Sequence, residues 1–193
     1  MTATFQIIKT EFVPGFDTNT IIISNGADAA LIDPNGEPSK IQAALAGKKL
    51  RAVYLTHGHF DHISAANDWG VPVYMSGADK PTVQNFSNMV LAQAGYPALL
   101  PTLDLASGDL GILPGVQCQV MNFPGHSPGQ MCFLFQKEKV FLSADFIFKG
   151  GAIGRTDLPG GDPAAMNKSL ERFRATDMRG FNIIPGHGPS FMI

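Results

Sequence analysis

The chain has few cysteines and no long apolar run. Its two cysteines, Cys118 and Cys132, lack Cys-x-x-Cys spacing and lie in strand-like apolar stretches, so we expect buried free thiols and no disulfide framework. No apolar stretch approaches the ~20 residues that cross a bilayer, and the first residues lack a basic region followed by an apolar core. These absences predict a cytoplasmic protein without a membrane segment.

An excess of charge of one sign is also missing. The formal net charge is -2, and there is no basic run or basic amphipathic stretch, which argues against nucleic acid as a partner. With 193 residues, 45% of them hydrophobic and 16% charged, the composition is typical of a folded globular protein. We expect a single domain over residues 1–193 without a linker, and nothing in the sequence indicates an oligomeric state.

All five histidines lie in spacings that suit metal ligands. Three occur in one short segment, Thr56-His57-Gly58-His59-Phe60-Asp61-His62. Residues two apart in an extended stretch point the same way, so His57 and His59 can converge on one ion. Asp61 and His62 then begin a helical-looking stretch, which aims a carboxylate and an imidazole beside the first pair. An isolated histidine is more often structural, but this spacing is specific to metal sites.

The other candidate ligands each follow an apolar, strand-like run. These runs cover residues 120–123, 140–144 and 181–184, and they lead to His126, Asp145 and His187. Ligands delivered from the same end of several strands meet at one rim of a sheet, where they can sit roughly 2.0–2.2 Å from a metal. Seven ligands are too many for one zinc ion. Two ions about 3.5–4 Å apart would use them, with an aspartate bridging and a hydroxide between the ions.

Apolar periodicity predicts alternating strands and helices. The strands lie near residues 5–9, 20–24, 29–33, 52–55, 71–75, 117–123, 131–135, 140–143 and 181–184, and the helices near 38–46, 62–68, 80–94 and 163–176. This order favours two mixed sheets face to face with helices outside. The segment 81–101 is interpreted either as a packed surface helix or as an apolar lid over the metal site.

The chain resembles metallo-β-lactamase-fold hydrolases of the glyoxalase II (hydroxyacylglutathione hydrolase) branch, of the single-domain type. The resemblance covers nearly the whole chain. Besides the segment with three histidines, it rests on Pro124-Gly125-His126-Ser127-Pro128-Gly129, Ser143-Ala144-Asp145, Gly154-Arg155-Thr156-Asp157-Leu158-Pro159-Gly160-Gly161-Asp162 and Pro185-Gly186-His187-Gly188-Pro189. It implies an α/β (α+β) fold, an αββα sandwich of two mixed β-sheets flanked by helices.

The same resemblance implies how the ligands are shared between two metal ions. One ion is expected on His57, His59 and His126, a second on Asp61, His62 and His187, with Asp145 bridging them. Zinc is the expected metal, with iron or manganese as alternatives. Asp33 and Thr56 are candidates to hydrogen-bond the ligands, with a plain turn or strand-end role as the alternative for each.

Two departures from the family bear on substrate recognition and local structure. Ala144 stands where the family usually has glycine. The chain ends at Ile193, and Gly188-Pro189 follow the last histidine in place of a Glu-Tyr pair. We therefore expect no C-terminal helical domain of the kind that completes the glutathione site in the two-domain enzymes.

The implied activity is hydrolysis of a thioester such as S-lactoylglutathione to a hydroxy acid and glutathione. A hydroxide bridging the two ions is expected to attack the carbonyl. Asp61 and Asp145 are the candidate catalytic residues, because they hold the ions that bind this hydroxide. A thiolate leaves without protonation, whereas an amine needs an acid that the sequence does not supply. Two divalent ions and two carboxylates leave a formal charge of about +2, which favours a small anionic substrate.

Two basic residues are candidate substrate contacts. Arg155 occupies the position of a family residue that contacts the glutathione portion of the substrate, and Lys149 lies nearby in sequence. An Arg155–Asp157 ion pair and a solvated Lys149 are the alternative interpretations.

Three other functions share parts of these motifs. A lactonase or other ester hydrolase would use the same dinuclear site. A glutathione persulfide dioxygenase would use one iron on two histidines and an aspartate, and the additional ligands argue against it. A metal-binding protein without catalysis is hard to reconcile with a complete ligand set.

Overall fold

Two six-stranded sheets lie face to face in the computed structural model, which describes residues 2–193. The first sheet has the order β1 (Thr4–Glu11), β2 (Asp17–Ser24), β3 (Asp28–Ile32), β4 (Lys49–Tyr54), β5 (Val73–Met75) and β6 (Leu103–Asp104). The second has the order β12 (Phe191–Met192), β11 (Asn182–Pro185), β10 (Val140–Ala144), β9 (Met131–Phe135), β8 (Val116–Asn122) and β7 (Gly108–Leu113).

Because of the strand directions, several turns of the chain lie at one edge of the sandwich. In the first sheet β3, β4, β5 and β6 pair in parallel. In the second sheet β10 and β11 pair in parallel, and β8 runs in the same direction because both β8 and β10 pair antiparallel with β9. The carboxyl ends of parallel strands share an edge, so the turns after β8, β10 and β11 lie together.

Three apolar layers hold the sheets and helices together. Residues of both sheets, among them Ile23 and Phe133, form the layer between the sheets. The outer face of the first sheet is covered by helix α1 (Pro38–Leu45), α2 (Phe60–Ile63) and α4 (Asn88–Gln93), and that of the second by α5 (Pro163–Arg174). The predicted αββα sandwich of two mixed sheets flanked by helices is confirmed.

Helix α5 begins where its sequence dictates. The Asp162 carboxylate accepts hydrogen bonds from the backbone N–H groups of Ala164 and Ala165, and Pro163 occupies the first turn, where its missing N–H costs nothing. Met166 on its inner face is buried against the second sheet. The prediction for residues 163–176 was therefore close to the observed bounds.

Some predicted elements differ in detail from those observed. The helix expected over 62–68 is divided into α2 and a 3₁₀ turn at Ala66–Trp69, because Ala65 leaves the helical region with φ -107° and ψ 16°. The helix expected over 80–94 consists of α3 (Lys80–Thr82), a π-helical turn (Val83–Ser87) and α4. Leu91 in α4 is fully buried. The segment 81–101 thus contributes a packed helix, and none of its residues lines the cavity over the predicted metal ligands.

Strands β6, β7 and β12 have no clear signal in the amino-acid sequence. Two of these strands have only two residues, and β7 contains Gly108 and Gly111, which interrupt its alternating pattern.

Cys118 and Cys132 are both buried and free, as expected. Between residues 2 and 193, none of the helices combines the length and apolar character needed to cross a membrane.

Candidate metal centre

The seven predicted metal ligands come together at one edge of the sandwich. His57 and His59 follow β4 of the first sheet, and Asp61 and His62 lie in α2 directly after them. The second sheet contributes the other three ligands from the turns after β8, β10 and β11, namely His126, Asp145 and His187. Both sheets therefore supply side chains to one cluster.

His57, His59 and His126 form a first candidate metal position. The nitrogens that face one another lie within 4.8 Å. His59 Nδ1 and His126 Nε2 are 2.8 Å apart, and all three side chains are buried. His57 Nε2 is buried without a hydrogen-bond partner among residues 2–193. A buried imidazole nitrogen left unpaired is costly, and coordination to an ion would satisfy it.

Asp61, His62 and His187 form a second candidate position. The Nε2 atoms of His62 and His187 are 3.3 Å apart. Asp61 Oδ2 lies 3.3 Å from His187 Nε2 and 3.8 Å from His62 Nε2. One carboxylate and two imidazoles facing a common point are a ligand set that divalent zinc or iron accepts.

Asp145 lies between the two positions. Its Oδ2 atom is 3.5 Å from His126 Nε2, in the first position, and 3.3 Å from His187 Nε2, in the second. Its Oδ1 atom is 3.5 Å from His62 Nε2 and has no hydrogen-bond partner in the described part of the chain. The arrangement suits a carboxylate that bridges two ions, and the residues present fit a dinuclear metal centre.

Four of the histidines are oriented by a hydrogen bond at Nδ1, the ring nitrogen that faces away from the metal positions. His62 Nδ1 bonds to Asp33 Oδ2 at 2.9 Å, and His57 Nδ1 bonds to Thr56 Oγ1 at 3.0 Å. His126 donates from Nδ1 to the carbonyl of Arg155, and His187 donates from Nδ1 to the carbonyl of Asp17. Each of these four bonds leaves Nε2 directed towards the cluster, which fixes the tautomer that a metal requires.

Asp33 also groups geometrically with His57 and His62, but its carboxylate is occupied elsewhere. It accepts hydrogen bonds from the backbone N–H and the hydroxyl of Thr56, at 2.8 and 2.6 Å, as well as from His62. Asp33 is therefore a hydrogen-bonding support behind both metal positions. The predicted roles of Asp33 and Thr56 in orienting ligands agree with these contacts.

The two positions differ in the protonation of their histidines. Burial and the neighbouring His62 lower the pKa of His57 well below its usual range, and burial and His126 lower the pKa of His59 to about 4. Burial also disfavours charge on His187, but Asp145 and Asp61 outweigh it and raise the pKa of His187 to about 11. His57 and His59 are thus neutral near pH 7, whereas the carboxylates beside His187 favour its protonated form.

Two glycines allow the chain to pass close to the ligands. A Cβ atom added to Gly186 would lie 2.1 Å from Asp145 Oδ1 and 2.8 Å from the ring of His62. One added to Gly154 would lie 1.9 Å from the carbonyl oxygen of Asp145. Neither position can carry a side chain without displacing a ligand.

A cavity of about 340 Å³ opens over the cluster. Its walls are largely apolar, and they include Phe16, Phe60, Phe148, Ile153 and Leu158. Phe16 and Ile153 remain 54% and 42% exposed at the mouth. Exposed apolar side chains beside a polar cluster are typical of a small-molecule site.

The two predicted substrate contacts have different locations. Arg155 lines the cavity, and its exposed guanidinium pairs with the Asp157 carboxylate through two contacts of 2.9 Å. Lys149 lies in a 3₁₀ turn, Lys149–Gly151, and is not among the residues that line the cavity. The internal Arg155–Asp157 pair foreseen as an alternative is present.

Two residues hold the turns that carry metal ligands, and neither has a signal in the sequence. Asn19 donates from Nδ2 to the carbonyls of Pro185 and Gly188, which flank His187 in the chain. The buried carboxylate of Asp79 accepts hydrogen bonds from the turns that carry His59 and His126. Both residues act on backbone or hydroxyl groups distant in sequence, so no motif reveals them.

The fold and the cluster together define a metal-dependent hydrolase. The family model of the Metallo-beta-lactamase superfamily matches residues 13–190. The chain belongs to this superfamily.

Individual relatives span most of the chain. The "Probable metallo-hydrolase YqgX" of Bacillus subtilis is 32% identical over 181 residues, which cover 89% of this chain and 85% of the relative. The "Hydroxyacylglutathione hydrolase GloC" of Haemophilus influenzae is 32% identical over 188 residues, which cover 91% and 88%. A solved structure, "Crystal structure of TTHA1623 in a di-iron-bound form", has a TM-score of 0.82 at 31% identity and covers 96% of this chain and 94% of that chain.

Proposed function

We propose that the protein hydrolyses a small anionic thioester such as S-lactoylglutathione, releasing a hydroxy acid and a thiol. The observation that carries the proposal is the position of Asp145 between two complete ligand sets at the floor of the cavity. The similarity to a relative named hydroxyacylglutathione hydrolase supports the substrate class.

The ligand set would hold two divalent ions, zinc or iron, in the two positions described above. When bound, such ions lower the pKa of a coordinated water and polarise a substrate carbonyl. The protein's own contribution is to fix the ligand nitrogens and carboxylates in advance, through Asp33, Thr56 and the carbonyls of Arg155 and Asp17.

The cavity favours a leaving group that needs no proton. Apart from the candidate metal ligands, its titratable lining residues are Arg155 and Asp17. A hydrogen bond from Lys9 lowers the pKa of Asp17, and a guanidinium does not release its proton near neutral pH. Neither group can readily protonate an amine. A thiolate leaves unprotonated, which supports a thioester rather than an amide as the substrate.

Arg155 is proposed to bind a carboxylate of the substrate. Its side chain is 67% exposed and that of Asp157 69%, so their ion pair is screened by water and can be exchanged at little cost. A substrate carboxylate at the mouth of the cavity would take the place of Asp157.

A lactone or another ester is the second candidate substrate. The apolar walls formed by Phe16, Phe148 and Ile153 favour it, because an aliphatic acyl chain would cover these side chains. Both candidates use the same metal centre and differ in the groups that contact the walls.

The deciding experiment combines elemental analysis of the purified protein with steady-state hydrolysis of S-lactoylglutathione and of an aliphatic lactone. We expect two ions per chain and preferred cleavage of the thioester, and loss of an ion and of nearly all hydrolysis in Asp145→Ala. Two ions with cleavage of the lactone alone would replace the proposal with the second candidate. One iron per chain would contradict both.

A matched pair of arginine variants tests the substrate contact. Arg155 and Arg179 each pair with an aspartate two residues away, and both side chains are exposed. Arg155→Ala should raise KM for S-lactoylglutathione about tenfold, as expected for the loss of one charged hydrogen bond, with kcat little changed. Arg179→Ala should leave both constants unchanged. Equal effects of the two substitutions would remove Arg155 from the site.

A further inference from the structure

Asp79 is a fully buried carboxylate surrounded by donors from two turns. It ends the 3₁₀ turn Gly77–Asp79. Its Oδ2 atom accepts hydrogen bonds from the backbone N–H of Gly58 and the hydroxyl of Ser127, both at 2.8 Å. Its Oδ1 atom accepts a third from the backbone N–H of Gly129 at 2.6 Å.

These donors belong to the two turns that carry the first metal position. Gly58 lies between His57 and His59, in the turn after β4 of the first sheet. Ser127 follows His126, in the turn after β8 of the second sheet. One carboxylate therefore spans the gap between the sheets and determines how far His126 stands from the other two histidines.

The surroundings leave Asp79 little freedom to move. The Ser87 hydroxyl donates to the carbonyl of Gly58 at 2.6 Å, so the peptide groups on both sides of that residue are held. A Cβ atom added to Gly129 would lie 2.8 Å from Asp79 Cγ. The carboxylate is thus closely packed on the side of the His126 turn.

The second metal position is supported by other residues. His62 bonds through Nδ1 to Asp33, and His187 bonds through Nδ1 to the carbonyl of Asp17. None of the hydrogen bonds that Asp79 accepts comes from Asp61, His62 or His187.

We propose that Asp79 is a positioning residue for the first metal position. It draws the turn that carries His57 and His59 to the turn that carries His126, and so maintains the spacing that a single ion requires. The second position fills independently of it. This inference rests on the metal centre of the proposed function but not on the identity of the substrate.

Cobalt(II) titration of the 193-residue protein, after removal of its metal, tests the proposal through visible absorbance and stoichiometry. In Asp79→Asn one oxygen is replaced by an NH₂ group, which faces donors instead of accepting from them. We expect the affinity of the first position to fall 10–100-fold, the usual range for loss of a support behind metal ligands, while the second position still binds one ion. The absorption bands of the first position should weaken selectively.

Asp104→Asn is the matched control. Its carboxylate accepts a hydrogen bond from the backbone N–H of Gly77 at 2.8 Å, in the same region, and Gly77 lies outside the turns that carry the metal ligands. It should bind two ions as the unaltered protein does. Unchanged cobalt binding in Asp79→Asn would overturn the proposal, as would equal weakening of both positions in a folded variant.

Ser127→Ala covers the case in which Asp79→Asn does not fold. It removes one of the three hydrogen bonds and leaves the buried carboxylate with two. We expect a smaller loss of affinity, again confined to the first position, and a loss shared by both positions or no loss at all would refute the inference. Cobalt binding is measured without any substrate. The inference about Asp79 can therefore be supported even if the protein does not cleave thioesters.

Discussion

The Asp33 carboxylate accepts the Nδ1 proton of His62 at 2.9 Å and, through the Thr56 hydroxyl, reaches His57 as well. Since the Thr56 hydroxyl donates to Asp33 at 2.6 Å, it accepts from His57 Nδ1 and leaves His57 Nε2 free to bind an ion. One buried carboxylate thus orients a ligand in each metal position.

Asp33→Asn should weaken both positions. The variant loses the charge that favours the Nδ1–H tautomer of His62 and disturbs the Thr56 hydroxyl, and we expect each ion to bind 10–100-fold more weakly. Competition with a chromophoric chelator measures the two affinities. Asp28→Asn is the control: this carboxylate, 13% exposed, begins strand β3, which Asp33 follows, and pairs with Arg51, and the variant should bind both ions as the unaltered protein does. A change confined to one ion would contradict the shared role of Asp33.

The two ions should respond differently to pH. Since the pKa of His59 is lowered to about 4 and that of His57 is also lowered, neither of them has to lose a proton when an ion binds to the first position between about pH 6 and 9. The pKa of His187 is raised to about 11, so an ion must displace a proton there, and affinity should rise about tenfold per pH unit for each proton released.

Calorimetric titration of zinc in buffers with different ionisation enthalpies counts the protons released at each step. Proton release should accompany the ion that binds to Asp61, His62 and His187. Release of protons mainly from the first position would show that the charge distribution between the two positions is the reverse of the one described.

Replacing Ala144 by glycine should stabilise the protein. Ala144 has φ +46°, in the left-handed region, which costs a residue with a side chain about 1–2 kcal/mol and glycine almost nothing. After the greater chain entropy of glycine is deducted, we expect a gain of about 1 kcal/mol in the free energy of unfolding, or roughly 2–4 °C in Tm.

Chemical denaturation of Ala144→Gly, compared with two further variants, tests this reasoning. Ala46 has φ +49° at the end of α1, so Ala46→Gly should also stabilise the protein. Ala43 lies within α1, where glycine costs about 1 kcal/mol, and Ala43→Gly should destabilise it. If Ala144→Gly resembles Ala43→Gly, the backbone strain assigned to Ala144 is wrong.

Both cysteines should be unreactive in the folded protein. Burial raises the pKa of Cys118 to about 12 and that of Cys132 well above its usual range, so the reactive thiolate is scarce at neutral pH. A disulfide reagent such as 5,5′-dithiobis(2-nitrobenzoate) should modify neither thiol at pH 8 until denaturant is added, and then both. Rapid modification of the native protein would show that one of them is accessible.

The same shifts have a consequence for stability at alkaline pH. Because the folded state keeps protons that the unfolded state releases, the contribution of these thiols is complete below their ordinary pKa of about 9 and declines as pH rises towards 12. Burial also raises the pKa of Tyr54 to about 12, which acts in the same direction. The free energy of unfolding should therefore be lower at pH 10.5 than at pH 8.

The ligands were predictable because their spacing follows from the chemistry of the site. His57 and His59 alternate in an extended stretch, and Asp145 and His187 end apolar strands, so the sequence alone indicates where they meet. The αββα sandwich followed from the resemblance that these residues carry.

The supports of the turns could not be predicted in the same way. Asp79 and Asn19 bind mainly to backbone groups, which every residue possesses, and their partners lie far away in the sequence. The strand β7 escaped prediction because Gly108 and Gly111 leave no alternating apolar pattern. Such contacts become visible only once the two sheets are in place.

The division of the ligands between the sheets has a consequence for the folded chain as a whole. His57, His59 and His62 come from one sheet and its helix, and Asp145 and His187 come from the other. An ion that binds this arrangement, and not the unfolded chain, also cross-links the two sheets at the edge where the ligands lie. The lifetime of the folded protein would then increase with the concentration of available metal. At low metal concentration, the amount of folded enzyme would fall together with its activity.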